Sequence, residues 1–510
     1  MNRPSDIVYS ARVVLGVALA CVAAAAFGAQ QVKQVPEPDT IVRDLGGQTA
    51  TRVCRTGAKW LRIGFQSLKL QGGDRLVLTS SSGDRLELKG SRWNDRTFYT
   101  RALEGSCVDF DTQFDDSSSA YKLSGYQAGV KPLEDVSYVV GGAGDLCDST
   151  PADCGKTSDL ILAMNPAAAL TFGDNAYTNA TLQEYVTRYD PYWGRFKAIT
   201  FPTPGNHEYY TTNAAGYFDY YNGVGVDTGP AGTRGEGWYS FDVGEWHFIA
   251  LNSKSGSTVS TTQLAWLDAD LRANTKLCTA AFMHYPYVSS GRYTIFSTMK
   301  PIVDRLYASR ADLLLTGHDH NYQRFMPMDG EKVAQDDGVR QVITGSGGGD
   351  KYTVLGTHPL FQAGQGHSFG VLRLDLTATG YDGAFVPVVG KTWTDSFSGE
   401  CHRATGVVPD YLLTGTASIS IPRSSSGGKV VTLASYGAFA APVQFTISGL
   451  PSGVTATWSI NPLTGVPDAN TTSRVTLRVS SSASVGTYPI TVTGTSDPFA
   501  RTYKFNLLVK

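Results

Sequence analysis

The chain has 510 residues, with 43 Lys and Arg against 45 Asp and Glu, a formal charge of −2 and 42% hydrophobic residues. So even a balance excludes an electrostatic grip on nucleic acid or on an anionic membrane, and no nucleic-acid partner is expected. The length exceeds one typical domain, and the texture changes along the chain.

The N-terminus carries Arg3 and Arg12 ahead of an alanine-rich apolar stretch, Val13–Phe27, ending in Ala26-Phe27-Gly28. This pattern predicts a cleaved secretory signal peptide over residues 1–28, too short and too small-ended to be a transmembrane helix. Ala18-Leu19-Ala20-Cys21 hints at a lipoprotein signal, but the apolar run continues past Cys21, so lipid anchoring is not expected. No later stretch is long and apolar enough to span a bilayer. The expected location is secreted or periplasmic. Of seven cysteines, six remain once Cys21 is removed, and export favours their pairing as disulfides. Sequence separation and domain placement narrow the pairings. Cys54 with Cys107 would stay within the N-terminal region. Cys147 with Cys154 would close the loop behind Asp145, and Cys278 with Cys401 would tie a central strand to the end of the middle region.

Residues 37–132 alternate apolar and polar positions. Trp60–Phe65, Arg75–Leu78 and Arg85–Leu88 read as strands, punctuated by Gly72-Gly73-Asp74 and Gly83-Asp84. A small β-sandwich is expected, weakly similar to the CUB-like domains of secreted bacterial hydrolases.

Residues 135–403 alternate strands with helices, and five strand-like runs each end in a polar cluster. Ser137–Val140 leads to Asp145, and Leu170–Phe172 to Gly173-Asp174-Asn175-Ala176-Tyr177. Ile199–Phe201 leads to Pro204-Gly205-Asn206-His207-Glu208, and Thr279–Met283 to His284. Leu313–Leu315 leads to Gly317-His318-Asp319-His320-Asn321. Ligand-type residues recurring at strand ends are what an α/β site requires. One helix is marked by Leu264, Leu267 and Leu271 on one face, with Ser260 and Gln263 expected as a capping box. Val342–Thr344, Gly370–Leu376 and Ala384–Val389 read as further strands. The run Gly345-Ser346-Gly347-Gly348-Gly349 is expected to be a turn using positive φ rather than a phosphate cradle. His247 reads as a strand residue whose neighbours face a core. His358, His367 and His402 have no ligand-spaced partner.

Residues 411–510 are rich in serine, threonine, glycine and valine, without histidine or cysteine. Val443–Ile447, Val475–Val479 and Tyr488–Val492 alternate like sandwich strands. Gly449–Val454 resembles the turn of bacterial immunoglobulin-like repeats. Spacing or surface attachment is expected here, through a cell-surface or glycan contact.

The middle clusters suit two dications about 3.5–4 Å apart, which need a bridging anion, oxygen and nitrogen ligands and open positions. Asp174 is the candidate bridge. Asp145 and His320 would complete one metal, and Asn206, His284 and His318 the other. The asparagine supplies a neutral oxygen, which limits the negative charge an incoming phosphate must meet.

On these blocks the chain, from Val136 to Arg403, resembles the calcineurin-like metallophosphoesterases and, within them, the secreted bacterial purple acid phosphatases. Similarity extends to Asn206–Tyr210, Trp238–Phe241, Asn321–Arg324 and Thr394–Ser396. The resemblance implies an α/β (α+β) fold, a two-sheet β-sandwich flanked by helices, here between the two β-sandwich domains. It implies Asp145, Asp174, Tyr177, Asn206, His284, His318 and His320 as metal ligands and His207 as the catalytic histidine. Tyr177 implies Fe(III) at its site, with Fe, Zn or Mn at the second. Arg292 and Tyr209 are candidate substrate contacts. The implied activity is hydrolysis of small phosphomonoesters by attack of a metal-bound hydroxide on phosphorus. The alternatives are a phosphodiesterase using the same site, or a surface- or glycan-binding protein with a degenerate enzyme domain. Two features depart from the family pattern. Leu146-Cys147 follows Asp145 where a glycine usually stands two residues on, and Ser289–Tyr293 holds no histidine where a leaving-group acid is often found.

Overall fold

The structure, a computed structural model, describes residues 33–35, 40–89, 93, 96–148, 152–254, 256, 258–293, 296–403 and 409–510. The expected signal segment, Cys21 included, lies outside the described residues.

The middle region folds as two sheets packed face to face with helices outside. The first sheet uses β1 (Tyr138–Ala143), β2 (Ala168–Phe172) and β3 (Thr200–Thr203), all parallel. The second contains β4 (Tyr239–Val243), β5 (Trp246–Ala250), β6 (Cys278–Met283), β7 (Leu313–Thr316), β8 (Tyr322–Phe325), β9 (Arg340–Thr344) and β10 (Phe361–Gln365). Strands β5, β6, β7 and β9 run parallel within it. The first sheet is completed by β11 (Gly370–Leu376), β12 (Gly380–Pro387) and β13 (Asp395–Glu400), in the order β3-β2-β1-β11-β12-β13. Strand β12 begins four residues before the expected Ala384 and stops before Val388, so its boundaries lie earlier than expected. The short strand Lys33–Gln34 adds to the edge of the second sheet beside β4.

Both faces of these strands are covered, which is why they read as unbroken apolar runs. Phe282, Leu313 and Leu315 turn inward to meet Leu170, Phe172 and Leu372 of the other sheet. Phe201 and Phe241 stack across the gap at 3.6 Å. The alternate residues Ala281, Met283 and Leu314 face outward onto Leu267 and Leu271 of helix Thr261–Ala273 and Leu306 of helix Lys300–Ala308. The first of these helices lacks the expected capping box. Ser260 makes no side-chain cap bond, and the Gln263 side chain, instead of reaching back to the cap, is buried and pairs with both the N–H and the carbonyl of Asn252.

The N-terminal region is a β-sandwich of a five-stranded and a four-stranded sheet around Leu61, Ile63, Phe65, Leu76 and Leu78. It docks on the middle region through Arg62, whose Nε and Nη2 lie 2.9 and 2.8 Å from Glu245 Oε1 with both side chains about fully buried. The C-terminal region is also a two-sheet sandwich. Its Leu412, Ala434 and Tyr436 pack into the middle region's outer core. Tyr436 donates to Asp268, which also pairs with Arg305. One face of this region is therefore buried against the middle region. The cystines are Cys54–Cys107, Cys147–Cys154 and Cys278–Cys401. No helix among the described residues is long and apolar enough to cross a membrane.

Candidate metal centre

Five parallel strands deliver their carboxyl ends to one place. Asp145 follows β1, Asp174 follows β2, Asn206 and His207 follow β3, His284 follows β6, and His318 and His320 follow β7. The turns are tight. Asp145, Asp174 and His318 take φ values of 58°, 51° and 69°, a left-handed conformation that non-glycine residues rarely adopt away from functional sites.

The donors form two sets that share one atom. Tyr177 Oη lies 3.2 Å from Asp145 Oδ1, 3.2 Å from His320 Nε2 and 3.3 Å from Asp174 Oδ2. His320 Nε2 is itself 3.2 Å from Asp145 Oδ1. On the other side His284 Nε2 lies 3.2 Å from the same Asp174 Oδ2, 3.0 Å from Asn206 Oδ1 and 3.1 Å from His318 Nδ1. All seven sequence-predicted ligands are therefore brought together, with Asp174 Oδ2 common to both sets. Among the described residues, Asp145, Asp174 and His284 also form a cluster whose ligand atoms lie within 4.8 Å of one another.

How these donors face one another tests whether they fit two cations. His284 Nδ1 meets the Phe172 carbonyl at 2.8 Å and His320 Nδ1 meets that of Asp350 at 2.8 Å. Each bond fixes the ring and turns Nε2 toward the centre, the usual backing of a metal-bound histidine. Two imidazole nitrogens 3.1 Å apart must have a proton or a cation between them. Burial opposes the charge on His284, yet Asp174 and Asp145 raise its pKa to about 9. Burial, and then His284, push His318 well below its ordinary value. Burial, then Asp174 and Asp145, push the Tyr177 phenol well above its ordinary range, so it stays protonated and donates to both carboxylates. Burial opposes the charge on His320 too, yet Asp145 raises its pKa. Two buried carboxylates and three imidazoles converging within hydrogen-bond distance, with oxygen and nitrogen donors only, are a donor set that fits two cations.

Around the donors lie supports that sequence reasoning missed. Glu208 is fully buried, and its carboxylate accepts from the backbone N–H of Asp174 (2.9 Å), Asn175 (2.8 Å) and Gly205 (2.6 Å) and from Tyr185 Oη (3.0 Å). It clasps the Asp174 loop to the Asn206 loop. A Cβ on Gly205 would lie 2.2 Å from Asp174 Oδ1, so only glycine permits that approach. Asp319, buried between the two histidine ligands, accepts from Ser289 Oγ and from Gln323 Nε2 at 3.1 Å, fastening the 289–293 segment. The Tyr177 loop is fixed by Glu184, which accepts from Thr178 N at 2.8 Å, and by Arg188, which donates to the Tyr177 carbonyl.

The glycine run after β9 departs from the expected turn. Of its glycines only Gly348 has positive φ. Gly347 N donates to the Gly144 carbonyl and Gly349 N to that of Asp145 at 2.8 Å, so the run is a strap under the Asp145 loop with these amides already spent. The Cys147–Cys154 bond closes that loop from the other side.

His207 stands apart from the metal donors. Its Nδ1 lies 2.6 Å from the Thr178 carbonyl and its Nε2 3.9 Å from Asp174 Oδ2. Its ring lies 4.4 Å from Tyr177 and 4.6 Å from Tyr210. The Tyr209 hydroxyl accepts from Asn252 Nδ2 at 2.6 Å, and Tyr210 is the neighbour that packs on His207. Arg292 is exposed, its guanidinium 4.7 Å from the Tyr352 ring centre, and Tyr352 stacks on His320 at 4.2 Å.

Comparison with known proteins agrees with this geometry. Residues 113–322 match the family described as calcineurin-like phosphoesterase. The chain is 29% identical over 202 residues to purple acid phosphatase 23 of Arabidopsis thaliana, covering 33% of this chain and 44% of that one. It is 25% identical over 249 residues to purple acid phosphatase 1 of Ipomoea batatas, covering 44% and 52%. Among solved structures, a purple acid phosphatase from yellow lupin (Lupinus luteus) seeds aligns over 70% of this chain and 74% of that one, at 15% identity and a TM-score of 0.43. The chain thus spans about half the length of the curated relatives it matches. Residues 113–322 thus match the calcineurin-like phosphoesterase family, and the chain is similar to purple acid phosphatases.

Proposed function

We propose that this chain is a secreted, two-metal phosphoesterase that hydrolyses small phosphomonoesters. The observation that carries the reading is the sharing of Asp174 Oδ2 between two converging donor sets. When bound, the metals would neutralise phosphate oxygens and supply a nucleophilic water at neutral pH. Asp145, Tyr177 and His320 would hold one, Asn206, His284 and His318 the other, with Asp174 joining them. The phenol of Tyr177 points to iron(III) at the first position, with Fe, Zn or Mn at the second.

The chain's own residues do the rest. Asn206 donates a neutral carbonyl oxygen, so the centre gains a ligand without repelling the phosphate. Glu208 holds the two loops at their separation. His207, with Nδ1 spent on Thr178, presents Nε2 beside the bridging carboxylate. From there an imidazolium gives its proton to the ester oxygen as the P–O bond breaks, and the alcohol leaves neutral. Arg292 at the rim adds positive charge where a dianion enters.

Two measurements test this. The purified protein should hydrolyse nitrophenyl phosphate faster than bis(nitrophenyl) phosphate, and chelator should abolish both. A faster bis-ester would make it a diesterase, and turnover unaffected by metal removal would sink the two-metal reading. A visible absorption band lost in Tyr177→Phe would establish tyrosinate–iron(III). A colourless, iron-free, active protein would keep the phosphoesterase and discard the iron.

A further inference from the structure

At the amino ends of β6 and β7, away from the carboxyl ends that carry the donors, the three regions of the chain meet around a cavity of about 260 Å³. Residues 274–277, which lead into β6, and residues 308–310, ahead of β7, both line it. One strand length, about 20 Å at roughly 3.3 Å per residue, separates this end of the sheet from His284. The cavity shares no residue with the donor set.

Its wall is rich in cations. The N-terminal region contributes Lys89 and Arg101, and the middle region Arg272, Lys276, Arg310 and Arg403, against the carboxylates of Glu87 and Asp468. Three of these cations are matched: Arg101 by Asp84 at 2.6 Å, Lys276 by Asp242 at 3.7 Å, and Arg310 by Asp337. The others are not. Among the described residues no carboxylate lies within ion-pair distance of the Arg272 or Arg403 guanidinium. Arg272 donates to the neutral oxygens of Ser435 and Asn470, and Arg403 to the Asn274 carbonyl. Lys89 reaches Glu87 only at 3.9 Å, and that carboxylate already serves Arg75. Burial pushes the Arg403 guanidinium below its ordinary value, with Asp312 opposing and Arg101 adding to the fall. Charges drawn out of water are ordinarily paired, and here the pairing is incomplete.

We infer that this junction binds a tetrahedral oxyanion of the phosphate type, with Arg403, Arg272 and Lys89 as its partners. Guanidinium forks match such an anion with paired N–H donors. Arg272 also holds the C-terminal strands through Ser435 and Asn470, so a bound anion tightens the docking of both sandwiches on the middle region.

The probe is labelled orthophosphate in equilibrium dialysis with the metal-loaded protein, at constant ionic strength set with chloride. Under the reading above the metal centre also takes phosphate, so the junction is identified by substitution. Arg403→Gln should weaken one component of phosphate binding by about tenfold or more, the scale of a lost charge-assisted hydrogen bond. Lys89→Gln, at a half-buried position that tolerates the change, should weaken the same component. Turnover of nitrophenyl phosphate, and its competitive inhibition by phosphate, should be unchanged in both. Sulfate should displace the junction anion. Binding equal to wild type in both variants, or loss of binding in step with turnover, overturns the inference and leaves the phosphoesterase standing. Displacement by chloride alone would mean loosely held counterions and also overturns it. Phosphate binding lost in Arg403→Gln, in a protein that hydrolyses no ester at full metal occupancy, would keep the junction site and remove the phosphoesterase.

Discussion

The second sheet carries two buried clusters of histidine and carboxylate, and they are built on opposite principles. His247 on β5 sits with Nδ1 2.7 Å from Asp242 Oδ1 and Nε2 2.8 Å from Asp270 Oδ2. Lys276 lies 3.7 Å from Asp242, and Arg96 of the N-terminal domain 3.9 Å from Asp270. Each imidazole nitrogen has its own acceptor, and each carboxylate has a further cation. At the metal centre the imidazoles of His284 and His318 face each other, and two carboxylates crowd toward the same points. Residue types do not distinguish a site from a structural brace. The facing of the donors does. In the brace each imidazole nitrogen meets its own carboxylate, whereas at the centre two imidazole nitrogens face each other and one carboxylate oxygen is shared between two donor sets.

The sharpest way to break this contrast is Asp174→Asn. It removes the one carboxylate oxygen common to both donor sets, so turnover should fall by about 10³-fold or more, several kcal/mol of charge stabilisation. Metal content measured alongside should drop too. Near-normal rates with normal metal would mean that Asp174 does not bridge. His207→Ala should cost about 10²–10⁴-fold, the range of general acid catalysis. The loss should be greater for alkyl phosphates than for nitrophenyl phosphate, whose leaving group needs no proton. An equal loss on both would leave His207 a positioning role alone.

Glu208→Gln is a milder test. The amide keeps the size but replaces one acceptor oxygen with a donor, which faces backbone N–H groups of the ligand loops. Metal affinity should weaken by about 10–100-fold, as for other supports of ligands. Unchanged affinity by metal titration would show that the loops hold their spacing without the clasp.

These residues differ in how far the sequence revealed them. The seven candidate donors were legible because they recur in short polar clusters after apolar strand runs. Glu208 was visible only as part of a motif, since its role depends on two loops meeting over its carboxylate. Its signal was an acidic residue two positions after Asn206 without a nearby cation in sequence. Asp319 was similarly hidden between His318 and His320. Gln263 read as a cap partner because local spacing favours that bond, but burial against Asn252 offered it two backbone partners instead. The glycine run read as a turn because close approach of β1 and β9 loops is a property of the packed sheets. Docking of the C-terminal sandwich was illegible for the same reason. Tyr436 and Leu412 are ordinary strand residues until the surface they meet is known.

The smallest expected effect is on stability alone, from His247→Gln. Burial disfavours the His247 imidazolium, but Asp270 and Asp242 overcome it and raise its pKa to about 9 from 6.5. The folded state therefore holds the proton more tightly than the unfolded state. The stabilisation is fully present below about pH 6.5 and is lost as pH rises through about 9. A shift of this size is worth at most about 3 kcal/mol. Unfolding of the wild type in denaturant should show stability falling between neutral and alkaline pH. His247→Gln should be less stable by about 1–3 kcal/mol near neutrality, with the gap closing at alkaline pH as the wild type loses its charge. Metal content should be untouched, because the brace shares no residue with the donor set. A gap that stays constant with pH would mean that His247 is held neutral and stabilises only by its hydrogen bonds. Loss of metal in this variant would join the two clusters into one network and dissolve the contrast between them.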